Sequence, residues 1–491
     1  MTQGVVLASI LWAVLWISLP AQFPHYIDDV YYKEPGYNLA VTGRFVAPAF
    51  SEYNSVKPDY SEIFAGYPPV YPGLYSFWLK LFPHSFRTSL AFDALIRITL
   101  VGIILYCFPR FLPGASNKGV VITGFVACFL GTLGRPDELG MVFAFLCLYY
   151  WWGRHSSGVA EKLLAGAFLG LCVATSPPAF IIIGVWAGYL ALVRMRNRRD
   201  LLDGVLVLIG CAVVGCAILV PYYQRPGAWL QWTQTSGEFL QGVRDSFHHK
   251  SVMPYWQLLW SGFRSSIFRY FMIVGLAGLG VLVYRKCGDS RVRHSLIGLG
   301  LALGVILIGM PQQFHYYWFI TPLLVATIAS NIRLRSATGI LLALLLVVAV
   351  NPVMREFLKS CTLPTSQKID SVQREVEKII PSSARVLTDY RSYYLLRAHC
   401  AALAVTDGTS TRWGVLTNAD YVVFGRYMMA TQDGYTFPRY WVNDPQSDFL
   451  KNHFVEIYNS HPVDSPRFLR IPIGGDPVGY GVVVYRRNGG L

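Results

Sequence analysis

The chain has 491 residues, of which 53% are hydrophobic and only 14% are charged. Soluble globular proteins carry about 25% charged residues, so this composition excludes a set of ordinary soluble domains. The formal net charge of +14 does not predict nucleic-acid binding, because the lysines and arginines cluster in short loops between apolar runs, where they orient membrane helices.

The first apolar run, "GVVLASILWAVLWISLP" at 4–20, is long enough to cross a bilayer. It lacks the basic leading segment and the small-residue cleavage site of a secretory signal, so we predict a retained span. Further runs long enough to cross roughly 30 Å of hydrocarbon predict a polytopic α-helical membrane protein. It would have about eleven spans: 4–20, 88–108, 119–134, 137–153, 162–176, 178–193, 201–221, 266–284, 295–310, 318–330 and 337–352.

Lysine and arginine concentrate in five of the loops between these spans: 109–118, 153–162, 194–200, 284–294 and 331–336. All five lie on one side of the bilayer if the N-terminus is cytoplasmic, and the positive-inside rule places that side in the cytoplasm. The extracytoplasmic face then receives everything after residue 351 and five further segments: 21–87, 134–138, 175–178, 222–265 and 310–318.

The tail of the chain has ordinary charge density and many turn residues. The sequence predicts an amphipathic helix at 367–380 and strands at 384–389, 401–408, 419–427, 453–459 and 480–487. We therefore predict a transmembrane domain at 1–352 and a small extracytoplasmic α/β domain at 353–491. Cys361 and Cys400 lie in this tail, and whether they pair is left open.

The first extracytoplasmic loop, 21–87, carries two adjacent carboxylates near its start, Asp28 and Asp29. One interpretation is a solvated loop, or a negatively charged start of the helix that follows. The next residues, "VYYKEPGYNLAVTGRF", are aromatic and amphipathic, which is typical of a helix lying on a membrane. A later aromatic segment fits an interfacial belt and contains Tyr67, Tyr71, Tyr75 and Trp78.

A second acidic pair, Asp137 and Glu138, lies in the turn "GRPDELG" beside Arg135. The predicted topology places this turn on the same face as Asp28 and Asp29. A loop that only connected two spans would need neither the carboxylates nor the arginine. We therefore predict that both acidic pairs belong to one extracytoplasmic site.

The order of these features resembles the GT-C glycosyltransferases, of the type that includes protein O-mannosyltransferases and lipid A aminoarabinose transferases. The resemblance rests on "DDVYY" at 28–32, "RPDEL" at 135–139 and "HYYWFITP" at 315–322. It implies an inverting enzyme of the cell membrane. Such an enzyme moves a sugar from a polyprenyl-phosphate carrier to a glycan, lipid or protein acceptor on the outer face.

The resemblance also assigns roles to residues. Asp28 would be the catalytic base for the acceptor hydroxyl, and Asp29 and Asp137 would be further catalytic carboxylates. The departing lipid phosphate needs nearby donors, for which Arg135 is the first candidate. The remaining candidates for binding the lipid phosphate or the sugar are Glu138, Tyr67, Arg264, Arg269, His315 and Tyr317.

Structural alternatives stay open for several of these residues. Arg135 would serve equally as an ion-pair partner of Asp137 or as an interfacial arginine. His315 would serve as a hydrogen-bonded structural residue, and Tyr67 and Tyr317 as members of the aromatic belt.

The sequence departs from the family pattern around the acidic pair. Asp29 stands in place of the usual glutamate, Tyr67 stands where some relatives have lysine, and Tyr31 occupies the region where a basic residue is expected. A divalent metal on Asp28, Asp29 and Asp137 is an alternative. We expect no obligatory cofactor besides the lipid-linked donor, because the closer relatives work without an obligatory metal.

A function from another class is a flippase or transporter of lipid-linked sugars. Transporters tend to carry ionisable residues near the midplane of the membrane. The acidic residues here are predicted to lie at one face, which favours chemistry at the membrane surface.

Overall fold

The computed structural model describes residues 6, 9–10, 27–50, 60–130, 134–153, 158–194, 198–233, 267–309, 314–332, 339–340, 342, 369–406, 413–425, 429–432, 435–438, 441, 445–460, 467–468, 471–472 and 481–488. Most of the first and eleventh predicted spans lie outside these residues, as do Arg264 and Cys361. The pairing of Cys361 with Cys400 therefore stays open.

Within its described residues, the first loop contains three α-helices: α1 (Asp28–Tyr31), α2 (Glu34–Thr42) and α3 (Val70–Leu81). Helix α2 begins with Pro35 in its first turn, where proline is well tolerated, and ends at Gly43 in the left-handed conformation, with a φ of 72°. Gly36 allows α2 to approach α3 closely, because a Cβ at this position would lie 2.5 Å from the carbonyl oxygen of Pro72.

Helix α3 differs from the expected aromatic belt. Tyr71 and Tyr75 are fully buried, and the indole N–H of Trp78 donates to the carbonyl oxygen of Thr88 at 3.0 Å. The exposed face carries aliphatic and phenylalanine side chains instead, including Phe77. Both tyrosines turn inward into a hydrophobic cluster that includes Phe92 and Ile96 of the helix that follows.

Apolar helices follow between Phe86 and Asn331: α4 (Phe86–Phe111), α5 (Asn117–Leu130), α6 (Asp137–Leu148), α7 (Val159–Val173), α8 (Pro177–Arg194), α9 (Arg198–Tyr223), α10 (Ile267–Lys286), α11 (Ser290–Gly309), α12 (Phe314–Tyr317) and α13 (Thr321–Asn331). A described helix overlaps each of nine predicted spans. Among the described residues, α4, α8, α9 and α11 are long and apolar enough to cross a membrane by length and composition.

Loops from one end of these helices contact one another. The backbone N–H of Ser116 donates to Ser330 Oγ at 2.8 Å, and Lys118 Nζ donates to the carbonyl oxygen of Ile332 at 3.0 Å. Ser116 and Lys118 belong to one basic segment and Ile332 to another, and both segments are predicted to share a face. The loops on the opposite face form the candidate site.

The C-terminal sheet region, residues 369–488, is a mixed sheet with flanking helices. Its five-stranded sheet has the order β2 (Ala402–Thr406), β1 (Arg385–Asp389), β3 (Tyr421–Gly425), β9 (Val482–Arg487) and β6 (Phe454–Asn459). Strand β1 is parallel to β2 and β3, and β9 is antiparallel to β3 and β6. The elements are α14 (Ile369–Ile379), β1 (Arg385–Asp389), α15 (Tyr393–Leu396), β2 (Ala402–Thr406), α16 (Trp413–Asn418), β3 (Tyr421–Gly425), β4 (Met429–Gln432), β5 (Tyr435–Pro438), α17 (Pro445–His453), β6 (Phe454–Asn459), β7 (Arg467–Phe468), β8 (Ile471–Pro472) and β9 (Val482–Arg487).

One hydrophobic core joins the first loop to the C-terminal sheet region. Buried side chains of the loop, such as Val30 and Phe64, belong to the same cluster as Val372 of α14 and Val484 of β9. The opposite face of the sheet has its own core around Phe424. The first loop therefore covers one face of the sheet.

Candidate active site

The site begins with the short helix α1, which presents Asp28 and Asp29 in its first turn. The side chain of Asp28 is 33% exposed, so a carboxylate oxygen is accessible to a ligand. Val30, the next residue, is fully buried in the core shared with the C-terminal sheet region. Burial of Val30 fixes α1 while leaving Asp28 at the surface of the site.

The second part of the site is the turn before α6, which begins at Gly134. This glycine has a φ of 84°, a left-handed conformation that disfavours residues with a Cβ. A Cβ on Gly134 would also overlap the carboxylate of Asp29. Both the backbone conformation and the lack of space for a Cβ require glycine at position 134. The glycine lets the turn contact Asp29 directly.

Arg135 joins the two segments. Its Nη1 contacts Asp28 Oδ2, and its Nε donates to Asp137 Oδ2 at 2.8 Å. Ser176, in the turn between α7 and α8, donates to Asp137 Oδ1 at 2.9 Å. Asp28, Arg135 and Asp137 form a triad. The side chains of Arg135 and Asp137 are 7% and 1% exposed, so Asp28 is the accessible carboxylate of this triad.

Tyrosines surround the arginine. The Tyr32 ring lies 5.6 Å from the Arg135 guanidinium carbon and 4.5 Å from the Tyr67 ring. Burial, followed by the charge of Asp137, raises the pKa of Tyr67, and burial and the charge of Asp137 raise the pKa of Tyr316 to about 12 against the opposing effect of Arg135. Burial also raises the pKa of Tyr32. All three hydroxyls therefore stay protonated near neutral pH and are able to donate hydrogen bonds.

Glu138 lies apart from this triad. It forms a buried pair with Arg97 of α4, in which Arg97 Nη2 donates to Glu138 Oε1 at 2.5 Å and Nε donates to Oε2 at 3.2 Å. Successive residues of a helix face different directions, so α6 aims Asp137 at Arg135 and Glu138 at α4. The sequence predicted both carboxylates to contact substrate, and the structure places only Asp137 in the triad.

The segment after the acidic pair does carry a basic residue, Lys33. Its Nζ donates to Asp93 Oδ2 at 2.5 Å and to Ser89 Oγ at 2.7 Å, and Tyr71 donates to Asp93 Oδ1 at 2.8 Å. Sequence reasoning missed this group and Arg97. The available signal was the presence of ionisable residues inside the second predicted span, which is costly in a membrane and marks a specific role.

The late tyrosine segment enters the site through Tyr316, which hydrogen-bonds to Arg135 and lies close enough to Asp137 to be affected by its charge. Tyr317 is fully buried in the core of the helical part. His315 lies in α12 between Phe314 and Tyr316. The side chains of His315 and Arg269 are not among those that the structure describes. Arg264 also lies outside the described residues.

Comparisons with known proteins identify the fold. No protein-family model matches the chain, and no curated protein sequence matches it. The crystal structure of ArnT from Cupriavidus metallidurans bound to undecaprenyl phosphate matches with a TM-score of 0.55 at 12% identity, over 99% of this chain and 97% of that chain. ArnT is a GT-C glycosyltransferase. The chain has the GT-C fold.

A second GT-C enzyme supports this assignment. The archaeal oligosaccharyltransferase AglB from Archaeoglobus fulgidus, in complex with an inhibitory peptide and a dolichol-phosphate, matches with a TM-score of 0.51 at 12% identity, over 100% of this chain and 88% of that chain. The complex of the same enzyme with Zn and sulfate has a TM-score of 0.52 at 12% identity, over 98% and 88%. The GT-C fold makes this chain a polytopic membrane protein.

The described residues do not fit a divalent metal of the kind present in that complex. The Arg135 guanidinium, itself a cation, contacts the carboxylates of both Asp28 and Asp137, and Ser176 takes the second oxygen of Asp137. A metal held by both carboxylates would have to displace Arg135. Across the described part of the chain, His, Cys, Asp and Glu side chains form no group of three that could hold a metal.

Proposed function

We propose that this chain is an integral-membrane glycosyltransferase that moves a sugar, with inversion, from a polyprenyl-phosphate carrier to an acceptor hydroxyl. The observation that carries the proposal is the triad in which Arg135 holds an accessible carboxylate, Asp28, beside a buried one, Asp137. The GT-C fold supports it, because structures with this fold have been solved with dolichol-phosphate and with undecaprenyl phosphate.

In the proposed reaction, the acceptor oxygen attacks the anomeric carbon of the donor sugar. The bond between that carbon and the phosphate oxygen breaks, and its electron pair stays on the lipid phosphate. Asp28 accepts the proton of the acceptor hydroxyl, for which an ionised carboxylate within hydrogen-bond reach is required. Asp28 is suited to this role because it combines exposure with a fixed position.

Arg135 would stabilise the departing phosphate. A guanidinium has five N–H donors, so it is able to hold two carboxylates and still donate to a phosphate oxygen. The protonated hydroxyls of Tyr67 and Tyr316 would add donors at the same place. A fixed positive charge beside a leaving phosphate is a strong form of transition-state stabilisation.

The proposed topology has eleven spans, a cytoplasmic N-terminus and an extracytoplasmic tail, with the transmembrane domain at 1–352 and the α/β domain at 353–491. It is supported by the origin of the site residues. Asp28, Arg135, Ser176 and Tyr316 come from four segments predicted to share the extracytoplasmic face, and they form one cluster. Protease digestion of a tag after Leu491 in spheroplasts tests the orientation, and protection of that tag would contradict it.

Replacement of Asp28 by asparagine tests the function. Membranes carrying the wild type or Asp28→Asn are given a panel of polyprenyl-phosphate sugars, and release of the lipid phosphate is measured. We expect the variant to lose transfer while its expression and helix content are unchanged. Asp448→Asn is the control, because Asp448 is an exposed carboxylate on α17. Full transfer by Asp28→Asn would remove Asp28 from the role of base.

A further inference from the structure

The strongest feature outside the triad is a set of buried polar contacts between the C-terminal sheet region and the first loop. Arg397 follows α15 and contacts α2, where its Nε donates to Glu34 Oε2 at 2.9 Å and its Nη2 donates to Asn38 Oδ1 at 3.0 Å. Tyr393 also donates to Glu34 Oε2. Glu34 is fully buried, and a buried carboxylate is tolerated only when it is paired.

The same segment reaches α1 itself. The hydroxyl of Tyr394 donates to the carbonyl oxygen of Asp29 at 3.3 Å and shares a hydrogen bond of 2.9 Å with Ser89 Oγ. Ser89 in turn accepts from Lys33 Nζ at 2.7 Å. The chain from Asp29 to Asn38 is therefore held by buried polar contacts on one side from α4 and on the other from the segment 393–397.

We infer that segment 393–397 is the positioning element for Asp28, with Arg397 as its main contact, so the C-terminal sheet region is part of the catalytic unit. This inference rests on the proposed function. Asp28 lies on a helix of four residues, which cannot hold its own position. Its place relative to Arg135 depends on what anchors the residues that follow it, and Arg397 supplies two of those anchors.

Arg397 is well suited to this task because its guanidinium holds two acceptors at once. A lysine carries one point charge on a flexible stem and does not reproduce a two-point contact. The pKa of Arg397 is raised, because Glu34 and its neighbours outweigh the opposing effect of burial. Arg397 therefore stays charged at any pH at which the protein is folded.

The first experiment does not require turnover. Full-length protein in nanodiscs is compared by amide hydrogen exchange as wild type, Arg397→Lys and Arg397→Met. We expect exchange in residues 27–38 to rise at least tenfold in Arg397→Met and by a smaller factor in Arg397→Lys, with α4 unchanged. Unchanged exchange in residues 27–38 of Arg397→Met would overturn the inference.

The second experiment measures the catalytic consequence with a panel of undecaprenyl-phosphate sugars. We expect kcat to fall roughly 10²-fold in Arg397→Met, as a misplacement of about 1 Å is able to cause, with the KM for the donor nearly unchanged. Arg397→Lys is expected to recover part of kcat. A fall in the amount of folded protein with kcat per folded molecule unchanged would show a structural role only and overturn the inference.

Two further variants keep the test decisive. Arg385→Met removes an arginine of the same region whose pair with Asp420 is exposed, and it should change neither exchange in residues 27–38 nor kcat. Tyr394→Phe removes one hydroxyl while keeping the buried ring, and it replaces Arg397→Met if that variant does not fold. If the wild type transfers no sugar, the proposed function fails, while the exchange experiment still decides whether segment 393–397 anchors α1.

Discussion

Arg135 contacts Asp28 although 107 positions separate them in the chain. The contact joins the first loop to the turn before α6 and leaves Asp28 as the accessible carboxylate of the triad. The pair therefore places a carboxylate and a positive charge at one point, which is what the proposed attack with loss of a phosphate requires.

The first prediction concerns Arg135. Arg135→Lys should lower kcat roughly 10²- to 10³-fold, the usual cost of removing a donor to a developing negative charge, because lysine cannot span Asp28 and Asp137. Arg135→Met should lower it further and raise the KM for the donor. Release of lipid phosphate measures both, and Arg385→Lys on the exposed sheet pair is the matched control. Wild-type rates in Arg135→Met would contradict a role in the reaction.

The second prediction concerns Gly134. An alanine there costs about 1–2 kcal/mol for the left-handed backbone, and its Cβ also overlaps Asp29. Gly43→Ala is the matched control, because Gly43 has a φ of 72° with open space around it. Thermal unfolding should show the cost of the left-handed backbone in both variants. A transfer assay should show loss of sugar transfer in Gly134→Ala alone. Equal transfer by the two variants would show that the contact with Asp29 is unimportant.

The third prediction separates Glu138 from the reacting groups. Its pair with Arg97 is buried on both sides, with 3% exposure each. Removal of one partner from a buried pair costs about 3–5 kcal/mol, so Glu138→Ala should lower the unfolding temperature strongly.

A suitable comparison for Glu138→Ala is Glu375→Gln. Glu375 forms a solvent-exposed ion pair with Lys378, and such a pair contributes about 0–1 kcal/mol to the free energy of unfolding. We expect little change in that control, and the KM of surviving Glu138→Ala protein should match the wild type. A raised KM with unchanged stability would instead place Glu138 in the substrate site.

The fourth prediction concerns pH. The ring of His84 lies 4.4 Å from Tyr37 and 5.4 Å from Tyr394, and burial, with smaller effects from Arg397 and Lys33, lowers the pKa of His84 from 6.5 to about 3. Below pH 6.5, His84 binds a proton in the unfolded chain but stays neutral in the folded chain. Stability should therefore fall as the pH drops, by up to about 1.4 kcal/mol per pH unit from this group, until the pH nears 3.

His84→Phe tests this effect, since phenylalanine fills the same space without titrating. The unfolding temperature of the variant should depend less steeply on pH between 6.5 and 4 than that of the wild type. His399→Phe is a comparison, because His399 Nε2 has a partner in the carbonyl oxygen of Ile380. Identical slopes for His84→Phe and the wild type would assign the acid sensitivity to other groups.

Much of the site could be predicted from the order of loops along the chain. The positive-inside rule placed the segments containing Asp28, Arg135, Ser176 and Tyr316 on one face, and in the structure these residues meet. The membrane restricts the arrangement to two sides, so counting spans is enough to group loops.

The finer contacts could not be predicted because they depend on helix phase. Tyr316 and Tyr317 are adjacent, and only the rotation of α12 decides that Tyr316 reaches Arg135. The same holds for Asp137 and Glu138 at the start of α6. The pairing of Arg397 with Glu34 also could not be predicted, since no sequence periodicity links the C-terminal sheet region to a loop 363 positions earlier.

That separation has a consequence for biosynthesis. The ribosome completes Glu34 long before Arg397, and at 5–20 residues per second the interval is roughly 20–70 s. Throughout that time Glu34 of the nascent first loop lacks its ion-pair partner Arg397. The apolar side chains of the loop also lack the C-terminal sheet region that later packs against them. Maturation of the protein should therefore be limited by synthesis of the tail, and cells that stall translation late should accumulate inserted but protease-sensitive chains.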